Sequence, residues 1–527
     1  MSKRPNFILF ITDQQRFDYL GCNGHPVLKT PNIDEMASQG ISYERFYVSS
    51  PVCMPNRASL MTCRMPSSHG VRSLGIPLSK KQVTFVEILR AAGYETALIG
   101  KSHLQNVTDW PTQFEPPLFR KNFMSPPNEL KQAIRPDLDQ NEYQYEQQSF
   151  WNKERAKVPT PYYGFDYYNS VLRHGANSGG DYELWLKRFR PEVLELRGNI
   201  NQLPHNYSCP QAIRTKIPED CYSTRYIADR ASEWIKSRKS NGRPFFLMVS
   251  FPDPHHPFSP PGKYWNMYKP EEMPVPYAFE ANDWEAPEYV RIAERARSKD
   301  KSLGQKSGYS IAVSKKEAQE ARALTCGMVT MIDDAIGAVR KALSGGTFLN
   351  NTVQIFTSDH GDHLGDHKLL FKGAEQYDSI THVPFIWADP EGPESKRTED
   401  LAQTHDIGTT ILERANIEAA DGMQGKILSF AGGQPRDSAF IEYENQRPQE
   451  AFGKAPRVHT IIHDRWRLSF YNSHCKNELF DLKNDPFELS NLWDDEQHST
   501  IKCMLLEKLV DSQIRSINTV PRPTAQG

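Results

Sequence analysis

One local pattern recurs four times along this chain: a short apolar run that ends abruptly in an ionisable cluster. Phe7–Thr12 runs into Asp13-Gln14-Gln15, and Thr96–Gly100 into Lys101-Ser102-His103. Phe245–Phe251 runs into Asp253-Pro254-His255-His256-Pro257, and Val353–Thr357 into Ser358-Asp359-His360-Gly361. Short, nearly continuous apolar runs read as strands buried on both faces. Helical signals lie between them. Thr30-Pro31 reads as an N-cap followed by proline at the first helical position, with Gly40 as the stop. Thr84 and Glu87 form a capping box closed by Gly93. Ile227, Ala231, Trp234 and Ile235 share one face of a helix over Tyr226–Lys236. Leu324, Met328, Met331, Ile332, Ala335 and Val339 stripe a longer helix that ends at Gly345. Strands alternating with helices predict an α/β fold: a large, mostly parallel sheet flanked by helices. Ligands of such sheets bind beyond the carboxyl ends of the strands, so the four clusters should converge.

Two stretches break the rhythm, near 106–221 and 263–314. They are rich in proline, tyrosine and charge and lack periodicity. They read as insertions, either over the active face or as peripheral decoration. From about residue 431 the texture changes. Ser438–Tyr443, Val458–His463, Trp466–Tyr471 and Glu478–Leu482 read as short strands, and Gln497–Arg515 as a helix. The expected organisation is a catalytic domain over 1–430 and a smaller C-terminal α+β domain over 431–527, an antiparallel sheet plus one helix.

Composition removes several function classes. Lys+Arg number 63 and Asp+Glu 65, a net charge of −2, so there is no global footprint for nucleic acid. No apolar run approaches the ~20 residues of a membrane span. The run after the N-terminus meets Asp13 too soon to be a signal peptide, so a cytoplasmic location is expected. The eight cysteines are scattered without a CxxC pair and read as free thiols.

The residues that carry chemistry fall in four places. Cys53-Met54-Pro55-Asn56-Arg57 leads into a helix, whose positive end favours anions. Arg57, four residues on, can face the same spot, and its planar fork suits a tetrahedral oxyanion. By composition alone, Cys53 reads more readily as a small buried hydrophobe, the commonest fate of a free cysteine. The segment Asp359–Lys372 packs three aspartates, three histidines and two lysines into fourteen positions. Asp359 and His360 leave a strand end opposite Asp13, and oxygen-rich ligands favour a hard divalent ion such as Ca²⁺ or Mg²⁺. A helical zinc pair of His363 and His367 is the rival reading, weakened by Gly365 between them. Lys101 and His103 could bind an anionic ester or lie on a solvated loop. His255, framed by prolines, is a presented imidazole or a structural one.

Together these motifs resemble one family, the formylglycine-dependent sulfatases of the alkaline phosphatase superfamily. Cys53-Met-Pro-Asn-Arg57 fits its C-x-P-x-R signature, and Gly93–His103 is similar to its second signature, ending in Gly-Lys-x-His. Asp359-His360-Gly361, Pro254-His255-x-Pro257 and Leu479-Phe480-Asp481-Leu482 with Asp485-Pro486 and Asn491-Leu492 match in order over nearly the whole chain. Asp13-Gln14, Leu364-Gly365-Asp366-His367 with Lys372, and Tyr268–Pro274 look most like the cytosolic arylsulfatase and phosphonate monoester hydrolase branch. Phosphonate hydrolases of that branch tend to lack the Lys-x-His pair kept here as Lys101 and His103, which favours sulfate esters. Thr62-Cys63 departs from the family's usual Thr-Gly.

The resemblance implies an alkaline-phosphatase-like sheet and hydrolysis of aryl or carbohydrate sulfate esters. The alternative is a phosphonate monoester or phosphodiester hydrolase with the same site. It implies that Cys53 is oxidised to formylglycine by a formylglycine-generating enzyme. Asp13, Gln14, Asp359, His360 and the modified Cys53 would hold one divalent metal, Ca²⁺ first, with Mn²⁺ or Mg²⁺ as alternatives. Arg57 and Lys101 would hold the hydroxyls of the hydrated aldehyde. Lys101, His255 and Lys372 would contact the sulfate, with His255 or Lys372 as proton donor and His103 as base. No nucleic-acid or membrane partner is implied, and the branch is compatible with a homo-oligomer. A two-metal phosphatase would need a Thr or Ser nucleophile, and a binding protein with a decayed site would have lost core positions that this chain keeps. Tyr162, Tyr163, Tyr167, Tyr168 and Trp185 could stack on a substrate ring or simply pack.

Overall fold

The first apolar run becomes β1 (Asn6–Asp13), a strand buried along its whole length. Its residues alternate between two layers, as the two-residue period of a strand requires. Phe7, Leu9 and Ile11 join one core, and Ile8 and Phe10 the other. In this computed structural model the described residues are 4–110, 142–153, 156–239, 242–281, 284–306, 308–345, 348–446, 452, 455–472 and 476–525.

Nine further strands precede the C-terminal region: β2 (Ile41–Tyr47), β3 (Glu95–Gly100), β4 (Tyr167–Ser170), β5 (Phe245–Pro254), β6 (Ile311–Ala312), β7 (Thr352–Ser358), β8 (Leu369–Leu370), β9 (Phe385–Ala388) and β10 (Lys396–Gln403). Eight of these ten strands form one sheet in the order β10-β2-β9-β7-β1-β5-β3-β4. All neighbours run parallel except at β9, which is antiparallel to β2 and β7. The sheet is therefore the mixed, mostly parallel one expected. The four strands with ionisable ends, β7, β1, β5 and β3, are contiguous, with Thr12 level with Ser358 and Gly100 level with Ser250. Strands β6 and β8 make a separate two-stranded ribbon.

The helices fall close to their sequence signals. Phe85–Ala91 carries the full Thr84/Glu87 capping box. The Ser223–Lys236 and Lys315–Gly345 helices cover one face, where Ile227, Ala231, Ile332 and Val339 are fully buried. One cap differs from expectation. The Pro31–Ser38 helix starts where predicted, but the Thr30 hydroxyl donates to Asp34 Oδ1 at 2.8 Å and caps no backbone N–H of the helix. Asn32 N and Ile33 N donate instead to Asp333 on the long helix, at 3.2 and 2.8 Å. A tertiary carboxylate has taken over the work of a local cap.

The C-terminal region forms an antiparallel sheet, β11 (Ser438–Glu444), β12 (Arg457–His463), β13 (Trp466–Tyr471) and β14 (Glu478–Asp481), covered by the Ser499–Arg515 helix. Leu505 and Leu509 of that helix pack on Ile461, Leu468 and Leu479. A buried polar joint ties this sheet to the rest. Arg467 is fully buried beside Glu478 and Glu488. Tyr289, from the second insertion, donates to Glu478 Oε1 at 2.7 Å, and Glu488 Oε2 accepts from Asp378 N at 2.8 Å. At Tyr289 that insertion buttresses the C-terminal sheet. Of the first insertion, 111–141 lies outside the described residues. All seven described cysteines are free, and Cys475 lies outside the described residues. No described helix is long and apolar enough to cross a membrane.

Two substitutions test these supports. Arg467→Ala leaves two buried carboxylates without their guanidinium and should cost about 3–5 kcal/mol, read as a lowered denaturation midpoint. Gly100 has φ +113°, and an added Cβ would overlap the Ser250 carbonyl oxygen of β5. Gly100→Ala should cost about 3 kcal/mol by the same measurement, because it combines backbone strain with a steric clash.

Candidate active site

The four expected clusters meet at the carboxyl ends of β7, β1, β5 and β3, and a helix points its start at them. Cys53 is the first residue of the Cys53–Thr62 helix, not the residue before it, and every residue of that helix is buried. Asn56 pins the helix in place: its Oδ1 accepts from Ser49 N at 2.9 Å and its Nδ2 donates to Asp359 O at 2.6 Å. Arg57 follows one turn after Cys53 and reaches the same centre. The helix ends at Cys63, which has φ +55°. That left-handed position suits glycine, which accounts physically for the Thr-Gly pattern from which Cys63 departs.

Around the sulfur, donor atoms of Asp13, Cys53, Asp359 and His360 all lie within 4.8 Å of one another and are buried. Cys53 Sγ lies 3.0 Å from His360 Nε2 and 3.6 Å from Asp13 Oδ1. His360 Nδ1 sits 2.8 Å from Gly361 O, so its N–H donates there and the Nε2 lone pair faces the cluster. Gln14 Nε2 donates to Asp362 Oδ2 and lies 3.0 Å from His256 Nδ1, which turns Oε1 the other way, to within 2.8 Å of Lys372 Nζ. Two carboxylates and one imidazole around the sulfur are a donor set that fits a hard divalent cation.

Cations surround the carboxylates. Arg57 Nε donates to Asp359 Oδ2 at 2.7 Å, and Nη1 donates to Lys101 O and Ser250 Oγ. Arg57 Nη2 is buried without a hydrogen-bond partner, 3.6 Å from Asp13 Oδ2. Lys101 Nζ donates to Asp13 Oδ2. Burial pushes the Asp13 carboxyl up, but the groups around it, Lys101 first, outweigh it and hold the group well below the usual carboxylate range. Lys372 Nζ lies 3.3 Å from Cys53 Sγ and 3.1 Å from His255 Nε2. Burial, then neighbouring His174, His256 and Lys372, keep His255 neutral. His103 is buried with Nδ1 unpartnered, and burial and Lys101 push its pKa down.

The sequence-derived residues thus share one buried locality. Of them, Asp13, His360 and Lys372 contact the sulfur, and His103 lies near Lys101 and Arg57. The zinc pair does not form. His367 has φ +53°, stacks on Tyr377 at 3.5 Å and meets Glu488 O, while His363 Nδ1 pairs with Ser379 Oγ. Most of the aromatic candidates pack: Tyr162 stacks on Tyr168 at 4.7 Å and donates to Glu146, Tyr163 is buried and Trp185 lies against Tyr226, whereas Tyr167 is exposed. Sequence reasoning missed His174, Asp362 and His256 as neighbours of the centre. His174 lies four residues after β4, in a segment with no motif or periodicity, so no local signal marked it.

Comparison with known proteins places this arrangement. The sulfatase family model matches residues 5–417, and one described as N-sulphoglucosamine sulphohydrolase, C-terminal, matches 365–515. An arylsulfatase of Clostridium perfringens is 29% identical over 506 residues, covering 94% of this chain and 91% of that protein. A multifunctional alkaline phosphatase superfamily protein of Trinickia caryophylli is 28% identical over 524 residues, covering 94% and 93%. The solved structure of a phosphonate monoester hydrolase of Agrobacterium radiobacter shares the fold, with a TM-score of 0.75 at 24% identity over 98% of this chain and 97% of that one. The match from residue 5 to 417 takes in β1, β3, β5, β7 and the Cys53 helix, and it shows that this chain belongs to the sulfatase family of sulfuric ester hydrolases.

Proposed function

We propose that the site hydrolyses sulfate monoesters, aryl or carbohydrate, using a formylglycine made from Cys53 and one divalent metal. The observation that carries this reading is the setting of Cys53, between His360 Nε2 at 3.0 Å and Lys372 Nζ at 3.3 Å with Asp13 beside it. The same atom borders a candidate metal pocket and an anion-binding cation. As a thiol it is a poor nucleophile, because burial, then Asp13, push it up to about 11. Oxidation to an aldehyde by a formylglycine-generating enzyme would put an oxygen in its place.

Asp13, Gln14, Asp359 and His360, with the oxygen of the modified Cys53, would hold the ion, Ca²⁺ first and Mn²⁺ or Mg²⁺ as alternatives. When bound, the ion supplies Lewis-acid polarisation of an ester oxygen and a more acidic attacking hydroxyl. The hydrated aldehyde supplies that hydroxyl and a second one whose deprotonation lets sulfate leave.

The remaining work falls to this chain's own side chains, since sulfuryl transfer, like phosphoryl transfer, is chiefly positioning and charge stabilisation. Arg57 and Lys101 hold the two hydroxyls. Lys101 and Lys372 donate to the sulfate oxygens, and His255 reaches them as a donor only after its Nε2 has taken a proton from Lys372. Of the two proton-donor candidates, the geometry favours Lys372. His255 Nδ1 faces His256 O at 2.5 Å, so its N–H donates there and its lone pair faces the Lys372 ammonium. The leaving oxygen therefore takes its proton from Lys372, directly or through His255. His103, neutral and with a free ring nitrogen, accepts the proton of the second hydroxyl.

Phosphonate monoester or phosphodiester hydrolysis is the second reading. Gln14, a neutral amide in the metal-ligand position, supports it through the branch it resembles, whereas Lys101 and His103 support sulfate.

Two measurements test the proposal. Mass spectrometry of the tryptic peptide Phe46–Arg57 from native-host protein should show the aldehyde in place of the Cys53 thiol; thiol alone would end the formylglycine reading. Lys101→Ala should lower aryl sulfate turnover by about 10²–10³-fold. Unchanged sulfate turnover, with phenyl phosphonate esters the better substrates, would replace the sulfate reading with the phosphonate one.

A further inference from the structure

His174 comes from the first insertion, four residues after β4, in a segment without motif or periodicity. Its Nε2 lies 2.7 Å from Lys101 Nζ and 3.6 Å from Asp13 Oδ2. Its ring stacks on His255, with centroids 3.7 Å apart and planes 9° from parallel. The contact is built into the backbone. At Gly175 (φ +56°) an added Cβ would meet Ser259 Oγ at 2.5 Å and Pro257 Cγ at 3.0 Å, so this loop lies directly on the loop that carries His255.

We propose that His174 is a positioning residue of the site: it accepts a hydrogen bond from Lys101 and backs His255, aiming both at the ester. The proposal rests on the reading that this site binds a sulfate ester.

The chemistry follows from which atoms face one another. A ring nitrogen opposite an ammonium presents its lone pair, so His174 Nε2 accepts from Lys101 just as His255 Nε2 accepts from Lys372. The site therefore contains two ammonium–imidazole pairs, joined through stacked rings. Each imidazole fixes a lysine without adding charge, and two neutral rings can stack where two imidazolium ions would repel. Lys101 has three N–H donors; Asp13 and His174 take two and so set the direction of the third. Without His174, Lys101 would be free to pivot about its contact with Asp13.

Asp13, His174 and His255 also place donor atoms within 4.8 Å of one another, as a second cation site would. Lys101 Nζ contacts both Asp13 and His174 and supplies the positive charge there, so the ammonium serves as this group's cation. The His174 side chain is 18% exposed against 2% for Lys101, which puts it on the solvent side of the lysine.

The test uses His174→Ala, His174→Gln and His174→Asn in the full-length chain, with aryl sulfate turnover and calorimetric binding of inorganic sulfate as readouts. His174→Ala should lower kcat/KM by about 10- to 100-fold and weaken sulfate binding by about tenfold, at unchanged metal content. His174→Gln or His174→Asn, whose amide oxygen can accept from Lys101, should recover much of both losses. In a Lys101→Ala background, His174→Ala should add little, because the two act through one contact. Wild-type turnover and sulfate binding in His174→Ala would overturn the proposal. Equal impairment of the alanine and both amide variants would also overturn it, by showing that the ring only fills space. If the wild type turns over no sulfate ester while the binding losses and their rescue persist, the functional reading fails and the positioning role stands.

Discussion

The site depends on keeping charged groups buried together. Asp13 and Asp359 have no exposed surface, and Arg57 and Lys101 reach them from the helix and from β3. Breaking such a pair leaves an uncompensated buried charge, which is far costlier than never having made it. Around the centre, Arg57, Lys101 and Lys372 are set against Asp13, Asp359 and Asp362, three positive against three negative. A divalent ion would add an excess of two positive charges to this set. An anionic ester reduces that excess. The chain as a whole is slightly negative, at −2, so attraction for the substrate is a property of the pocket and not of the surface.

Much of this was legible in the sequence because strands buried on both faces are long enough to recognise and end at sharp polar boundaries. Phe7–Thr12 could scarcely be anything but a central strand, and Asp13 had to lie at its carboxyl end. Arg57 was legible as a neighbour of Cys53 because one helical turn separates them. Its pairing with Asp359 was not, since 302 positions separate the two and only the lateral order of strands unites them. That order, β7-β1-β5-β3, carries no local signal. His174 was illegible for a further reason: no periodicity or motif marks a residue whose partner, Lys101, lies 73 positions away. The Thr30 cap failed as a local inference for the same cause, because Asp333 competes from another helix.

The C-terminal sheet touches the supports of the site at Ser49, whose carbonyl accepts from Glu442 N of β11, and through the loop that carries Lys372. Between His360 and Tyr377 the chain carries Lys372, and Asp362 Oδ1 staples this loop by accepting from Leu364 N and Phe371 N at 2.9 and 2.8 Å. A few residues on, Tyr377 and Asp378 enter the joint with Tyr289, Glu478, Glu488 and Arg467. Lys372 is thus held from both sides, by Asp362 within the loop and by the packed joint beyond it. This gives the smaller sheet a physical share in the chemistry without placing any of its residues at the centre.

Asp362 also explains the amide at position 14. Its Oδ1 is committed to the loop, and its Oδ2 accepts from Gln14 Nε2. A carboxylate at position 14 would face Asp362 with like charge, in a place where neither group has water to screen it. An amide resolves this by presenting N–H to Asp362 and oxygen to the Lys372 side, and His256 Nδ1 favours the same orientation. The neutral amide at position 14 is therefore dictated by the group behind it. A second carboxylate there would lower the charge that the centre presents to an anionic ester, so the pairing of Gln14 with Asp362 keeps the donor oxygen while leaving the pocket more electrophilic.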